Sequence, residues 1–125
     1  MEIEKLRDLA WQLKIGNYSR HIFLCVGESC CSGEQGELAW IALKDQLKDR
    51  ELSLSTGPAA CYRTKVGCLR VCKGGPILVV YPEGNWYCGM TADRIPEFIT
   101  RQIENGEPIE EWIFAKNPIS FRAIE

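Results

Sequence analysis

Residues 66–87 read VGCLRVCKGGPILVVYPEGNWY, and this stretch decides the fold. ILVVY is a continuous apolar run rich in β-branched residues. PEG is a turn with Pro82 preset for its first corner and Gly84 closing it, and NWYCGM returns as the partner strand. The spacing predicts a β-hairpin. Directly before it, Cys68 and Cys72 are separated by three residues, so a close pair of thiols is delivered to one end of the hairpin.

Toward the N-terminus, HIFLCV (21–26) predicts a short buried strand ending near Cys25, and CVGESCCS places Cys25, Cys30 and Cys31 in the loop after it. Ser32 and Gln35 fit a capping box, and Trp40, Leu43 and Leu47 share one apolar face, which predicts a helix through about Lys48. ELSLS (51–55) alternates as a half-buried strand does, TGPAA breaks the run, and ACYRTKV (60–66) is a further extended piece. Ile3, Leu6, Ala10 and Leu13 recur at helical spacing with Gly16 at the stop, so the first fifteen residues predict an amphipathic helix lying on the core.

Beyond the hairpin, Ile95, Phe98, Ile99 and Ile103 share a helical face that ends at Gly106. Pro96 fits only a first turn, so Asp93 is the expected N-cap. Residues 107–125 read as a tail packed on the surface and fraying at its end. The order β-α-β, irregular segment, β-hairpin, α is an α/β architecture of modest size.

Composition narrows the function. A chain of 125 residues, 46% hydrophobic and 26% charged, can bury a real core without disulfides. A net charge of −2 does not suit a protein whose main task is holding phosphates, so no nucleic acid is expected. No run of about 18 apolar residues occurs, so no membrane insertion is expected. Charges scattered through residues 1–16 do not suit a signal-peptide core, and the expectation is a cytoplasmic protein. In that reducing compartment, an odd set of seven cysteines argues for metal binding or redox chemistry over a disulfide scaffold.

Two loops that each bring a pair of thiols to one end of a sheet can place four thiolates around an iron-sulfur cluster or a zinc ion. The plant-type C-x4-C-x2-C run would need a cysteine at Gly33, the bacterial C-x2-C-x2-C-x3-C-P run is missing, and a Rieske centre needs two histidines where this chain has His21 alone. A structural or regulatory zinc module stays open, although zinc pairs usually nucleate folds that cannot stand alone. A thiol-disulfide enzyme fits less well, because no C-x2-C pair occurs and a Cys30–Cys31 bridge would be strained.

HIFLCVGESCCS followed by VGCLRVCKGGPILVVYPEGNWY resembles the thioredoxin-like [2Fe-2S] ferredoxins, relatives of the small cluster-bearing subunit of NADH-quinone oxidoreductase. The resemblance implies a thioredoxin-like fold with a mixed central sheet flanked by helices. Residues 20–115 would form the ferredoxin domain, 1–19 an extra N-terminal helix and linker, and 116–125 a tail. It also implies a single-electron carrier with one [2Fe-2S] cluster per chain and no catalysis on a substrate. Such a carrier works free or as a component of a larger oxidoreductase, with protein donor and acceptor, as a homodimer. By position, Cys25, Cys68 and Cys72 match three ligands. The fourth is Cys30, favoured by the C-x4-C spacing of the respiratory relatives, with Cys31 as the alternative. Pro76 matches a proline that is cis in thioredoxin-like folds, so a cis Gly75–Pro76 bond is expected.

Other residues have two readings. Arg63, Lys65, Arg70 and Lys73 cluster near the second thiol pair, as a basic docking collar for an acidic partner or as ordinary solvated charge. Cys61 and Cys88 read as small hydrophobes, Trp40 as core or interface, and His21 as structural. Trp86 and Tyr87 read as core or, on an exposed hairpin, as a dimer contact. Gly27, Gly67, Gly74 and Gly75 would let backbone amides approach cluster sulfurs, and a helix starting near Ser32 would aim its positive end there.

Overall fold

A computed structural model describes residues 1–119. Among the described residues, five strands form one mixed sheet: β1 (Arg20–Cys25), β2 (Cys61–Val66), β3 (Leu78–Tyr81), β4 (Asn85–Tyr87) and β5 (Ile113–Lys116), in spatial order β2-β1-β3-β4-β5. Only β1 and β2 run parallel. They are joined through helix α2 (Gly33–Asp49), while β3 pairs antiparallel with β1 and β4.

The alternation of β1 assigns its two faces. Ile22 and Leu24 are fully buried in the main core, where they meet Leu43 and Leu47 of α2 and Phe98 and Ile103 from the segment after the hairpin. Each such side chain contributes about 1.5–3 kcal/mol by leaving water. His21, Phe23 and Cys25 point to the opposite face. In the paired register, Tyr62, His21 and Tyr81 form one row there, and Thr64, Phe23, Val79 and Trp86 the next, closer to Cys25.

The expected cap of α2 is present: Ser32 Oγ accepts a hydrogen bond from the Gln35 N–H at 3.0 Å. The strand expected at 51–55 is not formed. The Leu52 and Ser53 N–H groups donate to the Leu47 carbonyl, closing the end of α2, and Glu51 and Leu54 are left-handed, which breaks an extended run. The strand beside β1 is instead Cys61–Val66.

The hairpin forms as read, and both Gly75–Pro76 and Tyr81–Pro82 are cis, the second of which the turn chemistry did not announce. After it, Asp93 is not the cap of a helix. A 3-10 turn, Ala92–Arg94, leads into α3 (Ile95–Phe98), and the Asp93 carboxylate accepts from the Thr91 hydroxyl instead. The helix continues as a π-helical stretch, Ile99–Glu104, which buries Gln102. Gln102 Oε1 accepts from Asn85 Nδ2 at 2.9 Å and from the Tyr87 hydroxyl at 2.5 Å, tying this segment to β4. Tyr87 is therefore wholly inside, not a dimer contact.

The segment expected to be a surface tail supplies the edge strand β5, anchored where the Asn117 N–H donates to the Gly84 carbonyl at 2.8 Å. The fraying expected at the chain end concerns residues 120–125, outside those described. Helix α1 (Glu2–Gln12) forms, yet none of its residues is buried, so it does not lie on the core.

Candidate metal centre

The thiol loops meet at the end of the sheet where β1 and β2 finish side by side. Cys25 is held by its own N–H, which donates to the Ile77 carbonyl at 2.8 Å, and by Val26, which donates to Val66 at 3.0 Å. The chain then turns at Gly27, whose carbonyl accepts from both the Cys30 and the Cys31 N–H groups. From the other side, Cys68 comes one glycine, Gly67, after the end of β2.

Cys25, Cys30, Cys68 and Cys72 line one cavity of about 210 Å³, together with Glu28, Ser29 and Gly67. Glu28 and Ser29 were not singled out by the sequence; their place two and one residues before Cys30 was the available signal. Cys31 is not in this lining. Its Sγ lies 3.9 Å from the Gly27 carbonyl and faces Gly36 in the first turn of α2, where an added Cβ would come within 3.2 Å of it. The helix end expected to face the thiols thus packs on Cys31 and Val26.

Two glycines make the loops fit. A Cβ on Gly75 would meet Cys30 Sγ at 2.2 Å and the Cys30 carbonyl oxygen at 2.7 Å, and a Cβ on Gly27 would meet the Gly67 carbonyl oxygen at 2.0 Å. The Gly75 N–H donates to the Cys30 carbonyl at 2.9 Å, so the hairpin loop is stitched onto the first thiol loop. Arg70 and Cys72 both have left-handed backbones, which turns the loop so that the Arg70 N–H donates to Cys68 Sγ at 3.2 Å.

The four thiols are unequal. Cys25 and Cys30 are buried against Ile77, with Val66, Leu69, Val71, Trp86 and Cys88 packed around them, whereas Cys68 and Cys72 are exposed. Burial pushes the Cys30 thiol up to about 12, reinforced by Cys25 beside it. The Cys72 thiol is raised by the hydrogen bond it donates to its neighbour Cys68, and burial raises Cys31. Thiols crowded in this way hold their protons until a cation compensates the charge.

Among the described residues, no three His, Cys, Asp or Glu side chains converge tightly enough to hold a single ion. The donor set is four sulfurs around one cavity, a chemistry that suits an iron-sulfur group. Of the remaining cysteines, Cys61 is buried in the main core, where burial pushes its thiol up to about 12, and Cys88 is half-buried.

The basic residues divide. Arg63 and Lys65 alternate onto the α2 face of the sheet, stacked over Trp40 at 5.3 and 5.9 Å, and Lys65 also pairs with Glu37 at 3.7 Å. Arg70 and Lys73 remain exposed in the loop that carries Cys68 and Cys72.

A 2Fe-2S ferredoxin from Clostridium pasteurianum is 33% identical to this chain over 101 residues, spanning 75% of the chain and 94% of that protein. The chain belongs to the [2Fe-2S] ferredoxin family. A ferredoxin of this kind carries single electrons on its cluster and does not turn over a substrate, and this chain is such a carrier. A 2Fe-2S ferredoxin from Aquifex aeolicus is 28% identical over 100 residues, 78% of this chain and 90% of that one. The structure of a thioredoxin-like [2Fe-2S] ferredoxin from the same organism superposes with a TM-score of 0.67 at 24% identity, covering 83% of this ferredoxin and 99% of its own chain. The fold is therefore thioredoxin-like. No protein-family profile matches the sequence.

Proposed function

We propose that Cys25, Cys30, Cys68 and Cys72 are the four ligands of one [2Fe-2S] cluster per chain and that Cys31 is not a ligand. The observation that carries this is that those four thiols ring one cavity while Cys31 packs on Gly36. The bound cluster supplies a reversible one-electron couple. The chain supplies its surroundings. Cys25 and Cys30, under Ile77, keep water from the inner side, and the Arg70 N–H on Cys68 Sγ favours added negative charge.

Cys68 and Cys72 mark the side that a protein donor or acceptor approaches. Arg70 and Lys73 in the same loop suit an acidic partner, with Arg63 and Lys65 committed to Trp40 and contributing only to the wider field. We read residues 20–115 as the body of the ferredoxin domain and 1–19 as an added helix and linker; the boundary expected at 116 falls inside β5, so the domain runs on through Asn117. We further read the protein as a cytoplasmic homodimer. Among the described residues no helix is long and apolar enough to cross a membrane.

The test is to prepare the loaded protein and each single Cys→Ser variant, then measure iron, acid-labile sulfide and the visible and paramagnetic spectra. The ligand variants should lose the cluster or change its spectrum. Cys31→Ser, Cys61→Ser and Cys88→Ser should keep the native signature, and a native spectrum in Cys30→Ser would overturn the assignment.

A further inference from the structure

Helix α1 carries Ile3, Leu6, Leu9 and Ala10 along one side, continued by its C-cap Leu13, a stripe broader than the narrow seam of a two-stranded coiled coil and of the width a helix uses to cover a sheet. Among the described residues nothing buries that stripe: Ile3 is 48% exposed, Leu6 54% and Leu9 49%, and only Ala10 and Leu13 at its C-terminal end are half-buried. The sheet has the converse problem. Its inner face is covered by α2 and the segment from Ile95, but the outer face has no helix buried on it among the described residues. There His21 stacks on Phe23 at 4.1 Å between ring centroids, Tyr18 stacks on Tyr62 at 4.9 Å, and Phe114 leans on Trp86 at 6.3 Å while still 46% exposed. A sheet face this apolar is stable when another layer covers it.

We propose that α1 of one copy lies on the outer sheet face of a second copy, and reciprocally, so that one two-fold exchange covers both surfaces. This rests on the homodimer reading above and names its contact. A specific interface needs about 1,200–2,000 Å² counted on both partners, and a reciprocal exchange supplies two helix-on-sheet seams toward it where a one-sided contact would supply one. A two-fold arrangement is self-complementary, and each copy supplies one stripe and one face. The helix carries Glu2, Glu4 and Asp8 against Lys5 and Arg7, a net charge of −1, which suits a protein surface better than an anionic membrane.

Sedimentation equilibrium of the cluster-loaded full chain should show a dimer. Leu6→Glu, on a helix that tolerates glutamate, should raise its dissociation constant at least 100-fold while the visible spectrum stays native. A benzophenone side chain placed at position 6 and irradiated should give a product of dimer mass, with the adduct on a peptide containing Phe23 or Tyr62. Four results would each overturn the proposal: a monomeric native chain, a Leu6→Glu dimer as tight as the native one, an adduct of monomer mass in which α1 has reached its own sheet, or a monomer that binds phosphatidylglycerol vesicles through α1. Iron content and spectrum read the ligand assignment separately, so a lost cluster in an intact dimer counts against the ligands and not against the helix.

Discussion

Gly75 and Cys30 are in direct contact through both backbone and side chain: the Gly75 N–H donates to the Cys30 carbonyl at 2.9 Å, and there is no room for a Cβ between Gly75 and Cys30 Sγ. Gly75→Ala must therefore displace either the thiol or the backbone behind it, which no side-chain rotation relieves. We expect a folded chain, destabilised by about 1–3 kcal/mol as overpacked sites are, with a severalfold loss of iron. Urea unfolding of the metal-free chain and iron analysis of the loaded one measure the two effects separately. Native iron content in Gly75→Ala would show that the contact is not needed for the site.

The two adjacent cysteines should behave oppositely. Cys30→Ser removes a thiol that lines the cavity, so the loaded protein should show a shifted visible spectrum or a short-lived cluster. Cys31→Ser changes a side chain packed on Gly36 and should leave the spectrum and the iron count at native values.

Charge reversal in the exposed thiol loop should slow encounter with an acidic redox protein. For Arg70→Glu with Lys73→Glu, the second-order rate should fall about tenfold at low ionic strength and approach the native rate near 1 M salt, where the Debye length is about 3 Å. Stopped-flow reduction across a salt series reads this directly. The same reversal at Arg63 and Lys65 should have a smaller kinetic effect, because those side chains lie over Trp40.

Tyr87→Phe should cost stability without touching the thiols. The hydroxyl donates to Gln102 Oε1 and accepts from the Ile109 N–H at 3.1 Å, all in the core, so its removal strands an amide N–H at a cost of about 1–3 kcal/mol. The urea midpoint should fall while the slope of the transition and the visible spectrum remain.

His21 should make stability pH-dependent. Burial lowers its pKa from the ordinary 6.5, so the fold prefers the neutral ring and the unfolded chain takes up a proton first as pH falls. Its contribution is complete above 6.5 and is lost as pH drops toward the lowered folded value. His21→Phe, which keeps a ring against Phe23 and gives up the 2.7 Å contact with Thr64, should therefore flatten the stability difference between about pH 7.5 and about pH 5.5. An unchanged slope in chemical denaturation would assign the effect to other groups.

The sequence showed most plainly what its own neighbours determine. The hairpin, the Ser32 cap and the apolar face of α2 depend on residues within a few positions, and all three are present. ELSLS misled because alternation is a weak signal beside a helix end: the Leu47 carbonyl claimed the amides that a strand would have needed. Strand β5 was unreadable because IFAK is short and mostly exposed, and its place is set by a distant partner at Gly84. The thiol pairs could be read from spacing, and C-x4-C already favoured Cys30 over Cys31, but that Gly36 receives the Cys31 sulfur depends on how α2 packs behind the loop, which no local spacing announces.

The alternation of β1 makes that strand a ruler. Ile22 and Leu24 engage the helices while Cys25, one step on, faces the cavity, so the position of a sulfur is calibrated by apolar side chains on the other side of the sheet. One residue inserted or deleted between Arg20 and Cys25 would send the thiol into the core and a leucine toward the cavity, whatever its chemistry. The loops that carry Cys30 and Cys72 can change length and be re-fitted by a turn. Along β1 the side chains can be exchanged, but the count cannot.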